Sequence, residues 1–419
     1  MRTRYRNLDA ISLAAWLALV LIGLVAIYST THGPAAEFYV SSPRGNYFNQ
    51  IRWFGISVAG LIVALLLPIR FFQNAALPLY ALTTLLLVVA LVFGREVHGS
   101  KSWLYIGSMS LQVSEIAKVG TILAVAQLVG MRRPKTMDLR FAFMIVGIIL
   151  LPAFLIVAQN DTGTALVFFA LIPIVLFWSG LEFNLLLLMI APAIAGYFAI
   201  VSMPVAIVLC TLFTGYMWWR SRDGKMGLFA AVFTGGTVAI TKLALTKILS
   251  DYQVQRILSF TNPGAEEFRL GVGYHQVNSM AAIGSGGWSG KGFLKGTQTQ
   301  GGYVMEQSTD FVFSVIGEEF GFIGAMVVIA LFGVLLIRLL RLGANIKHPF
   351  GVLVASGTVG VYLIHIFINI GMATSLLPVI GIPLPFISYG GSALVANTAL
   401  LAIVLSLHLR RDDFSIYGY

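Results

Sequence analysis

Acidic residues are concentrated in one short stretch of an otherwise apolar sequence. The segment MEQSTDFVFSVIGEE, residues 305–319, contains Glu306, Asp310, Glu318 and Glu319, whereas the whole chain of 419 residues has only 17 Asp and Glu. Carboxylates can take the proton of a hydroxyl during catalysis, so this stretch is where the chain could carry out such chemistry. If the segment is helical, positions 306, 310, 314 and 318 share one face and line a polar cavity. The alternative for Glu318 and Glu319 is a structural role, as caps or in ion pairs.

A second ionisable pair lies inside an apolar segment. In LQVSEIAKVG, Glu115 and Lys118 are three residues apart, so on a helix they share a face and can form an ion pair. A charge at the centre of a membrane-spanning helix costs about 3 kcal/mol unless it faces a cavity or a partner. Two interpretations stay open: a structural ion pair that joins helices, or a site where Lys118 helps to hold an anionic head group.

A glycine-rich stretch, GSGGWSGKG at residues 284–292, resembles a phosphate-binding loop only superficially. A P-loop needs a glycine five residues before Gly290, where Ser285 stands, and a Ser or Thr after Lys291, where Gly292 stands. One interpretation is a flexible, turn-rich loop. The other is that its backbone amides, with Lys291 or Lys295, bind a lipid-linked phosphate.

Other polar residues favour structural roles. Asp161, in the sequence AQNDTGTA between two apolar segments, is typical of a helix cap. The single cysteine, Cys210, cannot form a disulfide within the chain, and the six histidines lack the spacing of metal ligands.

The composition predicts the elements that must position these residues. Apolar residues make up 58% of the chain and charged residues 11%, with a mean hydropathy of +0.87. These values exclude a soluble domain and predict an all-α polytopic membrane protein. We expect about twelve spans, with ten or eleven as the alternative because two segments almost merge at Ser202. Their centres lie near residues 19, 60, 85, 123, 149, 171, 192, 211, 238, 328, 361 and 398.

Basic residues predict the orientation, because short loops rich in Lys and Arg stay in the cytoplasm. With both termini in the cytoplasm, most of the 27 Lys and Arg residues fall in cytoplasmic loops. The net charge of +10 is therefore a topology signal, and we expect no nucleic-acid partner.

We expect one integral membrane domain over residues 1–419. Residues 250–312 form a long loop on the outer face, and a loop of this length is usually functional or disordered. Residues 182–249 contain three apolar segments in succession. A turn at residues 376–391, LLPVIGIPLPFISYGG, breaks helical geometry at membrane depth, which is tolerated where backbone lines a cavity.

Six motifs, in their order along the chain, resemble the SEDS family (shape, elongation, division and sporulation). They are SWLYIGSMSLQVSEIAK, QNDTGTAL, YQVQRILSFTNP, GYHQVNSMAAIGSGGWSGKGFLKGTQ, EQSTDFVFSVIGEEFGF and NIGMATSLLPVIGIPLPFISYGGSAL. GIPLPFISYGGS and the short tails are closer to the elongation, RodA-like branch than to the division, FtsW-like branch. The resemblance implies a peptidoglycan glycosyltransferase that polymerises lipid II outside the cytoplasmic (inner) membrane. It also implies a class B penicillin-binding protein as the crosslinking partner.

The resemblance places the family's essential aspartate, and with it the role of catalytic base, on Asp310. It places a tryptophan of the first outer-loop motif on Trp103 and the S-E-x-x-K pair on Glu115 and Lys118. The other candidate substrate-binding residues are Lys101, Arg256, Lys291, Lys295, Glu306, Thr309 and Ser388. Two features depart from the family: Met305 replaces a proline, and residues 182–249 hold three apolar segments where one is expected.

The implied reaction joins the 4-hydroxyl of one lipid-linked disaccharide to the anomeric carbon of another, with inversion, and releases a polyprenyl pyrophosphate that needs nearby cations. No cofactor is certain. Asp310 and Glu306 are too few for a dedicated divalent-cation site, although substrate phosphates and water could complete one. Two competing functions stay open. One is a lipid II flippase, which would carry its charges near mid-membrane, and the other is a structural scaffold, which leaves Asp310 unexplained.

Overall fold

The chain divides into two compact units, residues 1–178 with 275–419 and residues 179–274. A computed structural model describes residues 8–34, 44–97, 99–106, 109–131, 138–222, 224–249, 251–265, 268, 271 and 273–412. The sequence predicts one membrane domain, and its region of added apolar segments, residues 182–249, lies within the second unit.

Long helices dominate both units. The first six are α1 (Ala10–His32), α2 (Arg44–Leu66), α3 (Ile69–Phe93), α4 (Val113–Gly130), α5 (Leu139–Ala158) and α6 (Thr162–Trp178). The second unit contains α7 (Phe183–Val201), α8 (Met203–Ser221), α9 (Gly224–Leu243), a π-helical turn (Ala244–Ile248) and α10 (Asp251–Leu258). The chain then continues with α11 (Tyr274–Ser285), α12 (Val312–Ala344), α13 (Pro349–Ala373) and α14 (Gly391–Leu409).

The twelve apolar segments of the sequence are all helical, which confirms an all-α polytopic membrane fold. Within the described ranges, ten helices are long and apolar enough to cross a membrane. The two that fall short are α6, which has only 17 residues, and α8, whose last turns carry Trp218, Trp219 and Arg220. Ten of the twelve segments expected to be spans therefore have the length and hydropathy of a membrane span.

Three helices form the centre of the first unit. Most residues of α4, α13 and α14 are buried, as expected for helices that are apolar on all sides. Helix α13 packs against α4, α6, α12 and α14, while α14 also packs against α2. Helices α2 and α3 instead expose large apolar side chains such as Leu66 and Phe93, as lipid-facing helices do.

Polar caps determine where two of these helices begin. Asp9 precedes α1 and accepts a hydrogen bond from the Ser12 amide at 3.0 Å, and its carboxylate also pairs with Arg338 of α12. His348 precedes α13, where its Nδ1 accepts a hydrogen bond from the Phe350 amide at 3.2 Å. Pro349 occupies the first helical position, where its missing N–H costs nothing.

A small antiparallel sheet lies between α3 and α4, where the sequence analysis expected an outer loop. Its strands are β1 (Arg95–Val97), β2 (Ser100–Ile106) and β3 (Met109–Gln112), in the order β1-β2-β3. Trp103 of the central strand pairs with Arg95 on one side and Gln112 on the other. The alternation of polar and apolar residues in SKSWLYI is typical of a strand. Hydropathy, which identifies the membrane spans, does not identify it.

Helix α12 begins later than the acidic stretch suggests, and it is broken. Glu306 has a positive φ of 49° and the helix begins at Val312, so the expectation that positions 306 to 318 form one helix face is wrong before that residue. The helix breaks at Gly321, whose φ of 68° and ψ of −164° few other residues can adopt. The amides of Phe322 and Ile323 bond instead to the carbonyls of Gly287 and Trp288.

Candidate active site

A non-helical segment passes between the ends of the central helices and carries much of the site. Residues 376–390, which we call the proline segment, lack regular secondary structure. Side chains replace the missing backbone partners: Gln276 donates to the carbonyl of Leu377 at 2.8 Å, and Asn369 donates to that of Ile382 at 2.8 Å. Backbone without regular secondary structure is tolerated at membrane depth when other groups satisfy its hydrogen bonds in this way. The predicted break in helical geometry is confirmed.

Three of the predicted site residues share one turn immediately before α12. The Asp310 amide donates to the Glu306 carbonyl at 3.0 Å, and the Thr309 hydroxyl donates to the Glu306 carboxylate at 2.9 Å. Glu306 is exposed and Asp310 is partly exposed, whereas Phe311 and Val312 are buried. The two carboxylates therefore lie at the accessible side of a turn that leads into the buried first turns of α12.

Asp310 is anchored to the proline segment through its backbone, and its side chain lies close to the same segment. Buried Asn369 of α13 donates one amide hydrogen to the Asp310 carbonyl at 2.9 Å and the other to Ile382. The carboxylate lies against Gly381, where a Cβ would come within 3.4 Å of Asp310 Oδ2. Gly381 also has a φ of 80°, so other residues would be strained there.

Ser388 joins the same turn to the proline segment. Its hydroxyl donates to the Thr309 carbonyl at 2.6 Å and accepts from the Leu384 amide at 2.8 Å. Gln50 of α2 donates to the Ser388 carbonyl at 3.3 Å. Because Ser388 is only 4% exposed and its hydroxyl is bonded on both sides, it positions the turn that carries Asp310.

His275 is a titratable neighbour of this turn that the sequence analysis missed. Its ring stacks on Phe311 with centroids 6.2 Å apart. Burial lowers the pKa of His275, and the nearby charge of Glu306 partly opposes this effect. The imidazole is therefore neutral near pH 7. His275 and Phe311 are far apart in the chain, so the sequence does not indicate that they meet.

Glu115 and Lys118 form the predicted ion pair, deep within the central helices. Lys118 Nζ lies 2.9 Å from Glu115 Oε1, and both residues are only 1% exposed. The ammonium also contacts His365 Nε2 at 2.8 Å, while His365 Nδ1 lies 3.0 Å from the Pro383 carbonyl. A carbonyl only accepts, so Nδ1 carries the proton and Nε2 accepts from the lysine. The pair therefore connects α4 to the proline segment.

The loop at residues 285–299 wraps around Glu318. This carboxylate is 0% exposed and accepts from the backbone amides of Thr297, Gln298 and Thr299, each at 2.8 Å. Lys291 Nζ lies 2.7 Å from Glu318 Oε1 and 2.6 Å from each of the hydroxyls of Ser285 and Thr297. All three ammonium donors are thus used within the loop. This arrangement favours the structural interpretation of Glu318 and leaves Lys291 no spare donor for a phosphate.

The remaining candidates belong to other segments of the chain. Lys101 is exposed and Trp103 is partly exposed, both on β2, and Lys295 is exposed in the loop around Glu318. Arg256 belongs to α10, but its side chain lies outside the described residues. Asp161 accepts from the Thr164 amide at 3.1 Å, as expected of a cap, and its other oxygen lies 3.0 Å from Gln112 Nε2.

The described residues contain no group of three or more His, Cys, Asp and Glu side chains arranged to hold a metal ion. Asp310 and Glu306 are the two carboxylates that could contribute to one beside substrate phosphates.

Buried helices, a non-helical segment at their ends and accessible carboxylates define a polytopic membrane protein with a candidate active site at one membrane surface. The family model FTSW_RODA_SPOVE, described as "Cell cycle protein", matches residues 9–222 and 204–413. The chain belongs to this family, the SEDS family of the sequence analysis. The two matches overlap at residues 204–222, within the region of added apolar segments.

Relatives with assigned activities match the chain over nearly its whole length. It is 31% identical to "Peptidoglycan glycosyltransferase RodA" of Treponema pallidum, covering 97% of this chain and 98% of the relative. It is 32% identical to "Peptidoglycan glycosyltransferase MrdB" of Escherichia coli K12, covering 98% and 95%. A chain in the structure titled "Structural coordination of polymerization and crosslinking by a peptidoglycan synthase complex" matches with a TM-score of 0.68. Its identity is 25%, over 96% of this chain and 98% of that chain.

Proposed function

We propose that this chain polymerises lipid II into glycan strands at the outer face of the cytoplasmic membrane. The chain is a peptidoglycan glycosyltransferase of the elongation type, a multi-pass protein of the inner membrane. The observation that carries the proposed site is the placement of Asp310, which is partly exposed just before the buried first turns of α12 and is joined to the proline segment by the two hydrogen bonds of Asn369. Lipid II supplies both the acceptor hydroxyl and the activated donor.

Asp310 acts as the general base in this proposal. The 4-hydroxyl of the acceptor attacks the anomeric carbon of the donor, and its proton passes to the Asp310 carboxylate as the new C–O bond forms. The bond between that carbon and the pyrophosphate oxygen breaks, and polyprenyl pyrophosphate leaves with the electron pair. A positioned base contributes about 10²- to 10⁴-fold to the rate of such a step. Glu306 stays close enough, through Thr309, to adjust the charge of the site.

The candidate lysines differ in whether their ammonium groups already have partners. Lys118 is buried between Glu115 and His365, and Lys291 is held by Glu318. Lys101 and Lys295 are exposed, so among the four candidate lysines we assign the stabilisation of the leaving pyrophosphate to these two. This assignment reduces the four lysines that the sequence suggested to two.

A class B penicillin-binding protein is the partner we propose. The motif resemblance supports this partner, and so does the likeness to a chain from a complex that couples polymerisation and crosslinking. Co-purification after mild detergent extraction tests it. Polymerase activity that neither retains nor responds to such a partner would count against it.

The main competing function is a flippase. Its signature would be charges along a path near mid-membrane, and the buried pair of Glu115 and Lys118 is the one observation that suits it. The purified chain in vesicles with labelled lipid II separates the two functions. Strand formation without lipid II translocation is the expected outcome, and translocation without strand formation would refute the proposal.

We also propose that both termini face the cytoplasm, with the loop around Glu318 outside. In a Cys210→Ser background, Gln298→Cys should react with an impermeant thiol reagent in intact cells, and Lys347→Cys only after permeabilisation. These two positions lie beyond opposite ends of α12. The reverse labelling pattern would invert the topology and remove the active site from the outer face.

A further inference from the structure

Aromatic side chains from α1, α2 and the loop before α12 gather in one cluster, which we call the aromatic platform. Tyr28 and His32 stack with centroids 4.4 Å apart and planes 4° apart. Tyr47 meets both rings edge-on, at 5.2 Å and 5.4 Å. Phe48 lies 6.3 Å from His32, and Phe293 lies 6.1 Å from Tyr28. The platform thus joins three separate segments of the chain.

The platform lies next to the residues that position the active site. Tyr47 is three residues before Gln50 on α2, so the two lie about one helical turn apart on neighbouring positions of the helix surface. Gln50 bonds to the backbone of Ser388, which in turn holds the carbonyl of Thr309, the residue before Asp310. The platform is therefore connected to the turn that carries Asp310 through Gln50 and Ser388.

The platform combines two exposed phenylalanine rings with three partly exposed rings that have polar edges. Phe48 is 57% exposed and Phe293 is 41% exposed, while Tyr28, His32 and Tyr47 are partly exposed. A pyranose ring presents C–H groups to an aromatic face and hydroxyls to the polar edges of Tyr and His. The platform carries no carboxylate and no lysine or arginine, which suits the uncharged backbone of a glycan better than a pyrophosphate.

The alternative role for these rings is a belt at the membrane surface, where Tyr and Trp are common. A belt requires single aromatic side chains at a given depth. It does not require five rings from α1, α2 and a loop to form one connected cluster.

We propose that the aromatic platform binds the nascent glycan strand and keeps it at the active site between additions. This inference rests on the proposed function, because it assigns a subsite to the product of that reaction. The ligand class is a β-linked chain of N-acetylated sugars. Stacking of successive sugar rings slows release of the strand, so it sets the length that the strand reaches.

The test replaces flat rings with side chains of similar apolarity. Tyr28→Leu/Tyr47→Leu removes the two tyrosine faces, and Phe48→Leu is a milder second variant. Trp219→Leu is the matched control, because Trp219 is a 77% exposed aromatic residue of α8 outside the platform. Thermal unfolding in detergent verifies that each variant is folded.

Two measurements are made on the full-length protein. Binding of a β-1,4-linked N-acetylglucosamine hexamer, followed by saturation-transfer NMR, should weaken at least fivefold in the double variant. Strand length at matched consumption of lipid II should fall at least threefold. Phe48→Leu should show smaller changes of the same sign, and Trp219→Leu should behave as the wild type.

Each outcome decides something. Folded platform variants with wild-type hexamer binding and strand length would overturn the inference. Loss of the co-purified transpeptidase with unchanged hexamer binding would also overturn it, by showing that the platform is a protein interface. A wild-type protein that binds the hexamer but makes no strands from lipid II would refute the proposed function and leave the platform as a carbohydrate site.

Discussion

At the scale of single residues, the same type of side chain has different roles within one short stretch. Glu318 and Asp310 are eight residues apart, yet Glu318 is enclosed by backbone amides while Asp310 faces an accessible region. The sequence predicts that acids gather here. It could not separate their roles, because the partners of Glu318 come from residues 285–299 and those of Asp310 come from α13 and the proline segment.

Glu318→Gln should loosen the loop of residues 285–299. The amide that replaces one oxygen presents hydrogens to backbone N–H groups that need an acceptor, and it leaves the Lys291 ammonium without its counter-charge. We expect a loss of about 3 kcal/mol in local stability, as for other buried pairs that lose one partner. Hydrogen exchange of residues 290–300 measures it. Lys295→Met, which alters an exposed lysine of the same loop, is the control, and equal exchange in the two variants would contradict this role.

Lys118→Met should destabilise the central helices. It leaves the buried Glu115 carboxylate without a counter-charge and removes the donor to His365. The expected loss is about 3–5 kcal/mol, seen as a lower unfolding temperature in detergent. The double change Glu115→Gln/Lys118→Met removes both charges, so it should recover part of that loss. A double variant as unstable as the sum of the two single variants would show that the pair is not coupled.

At the scale of elements, hydropathy predicts helices well and their ends poorly. Each apolar segment of the sequence is a helix, because burial in lipid or in the bundle requires internally bonded backbone. The start of α12 at Val312 follows a turn in which Asp310 and Phe311 bond to the Glu306 carbonyl, and its break at Gly321 depends on backbone bonds to the loop at residues 287–292. Hydropathy does not predict the sheet between α3 and α4, since its strands are short and are not apolar runs.

The cap of α13 predicts a pH dependence of stability. Burial lowers the pKa of His348, whose neutral Nδ1 accepts from the Phe350 amide. Because the unfolded chain takes up the proton first, this contribution is present above the ordinary value of 6.5 and is lost as the pH falls below it.

His348→Asn keeps a capping oxygen that does not titrate in this range. The fall of the unfolding temperature between pH 7 and pH 5 should therefore be less steep than in the wild type. His275, whose pKa burial also lowers, stays in both proteins and contributes equally. Identical slopes for the two proteins would show that the His348 cap does not sense pH.

At the scale of the whole molecule, composition and motif order predict the class, the family and the reaction. The added apolar segments were visible in the sequence, but their grouping with α10 into a separate compact unit was not, because it depends on contacts distant in the chain. The site was predictable as a set of residue types. Its organisation by Asn369, His365 and Ser388 was not, since each acts on backbone carbonyls that carry no sequence signal.

The central claim is that Asp310 is the base for glycan polymerisation. Asp310→Asn keeps the size of the side chain and its contact with Gly381 while removing its basicity. With purified, folded protein bound to its partner and saturating labelled lipid II, the rate of strand formation should fall by about 100-fold or more, and Glu306→Gln should reduce it less. Strand formation by Asp310→Asn at close to the wild-type rate would contradict the account.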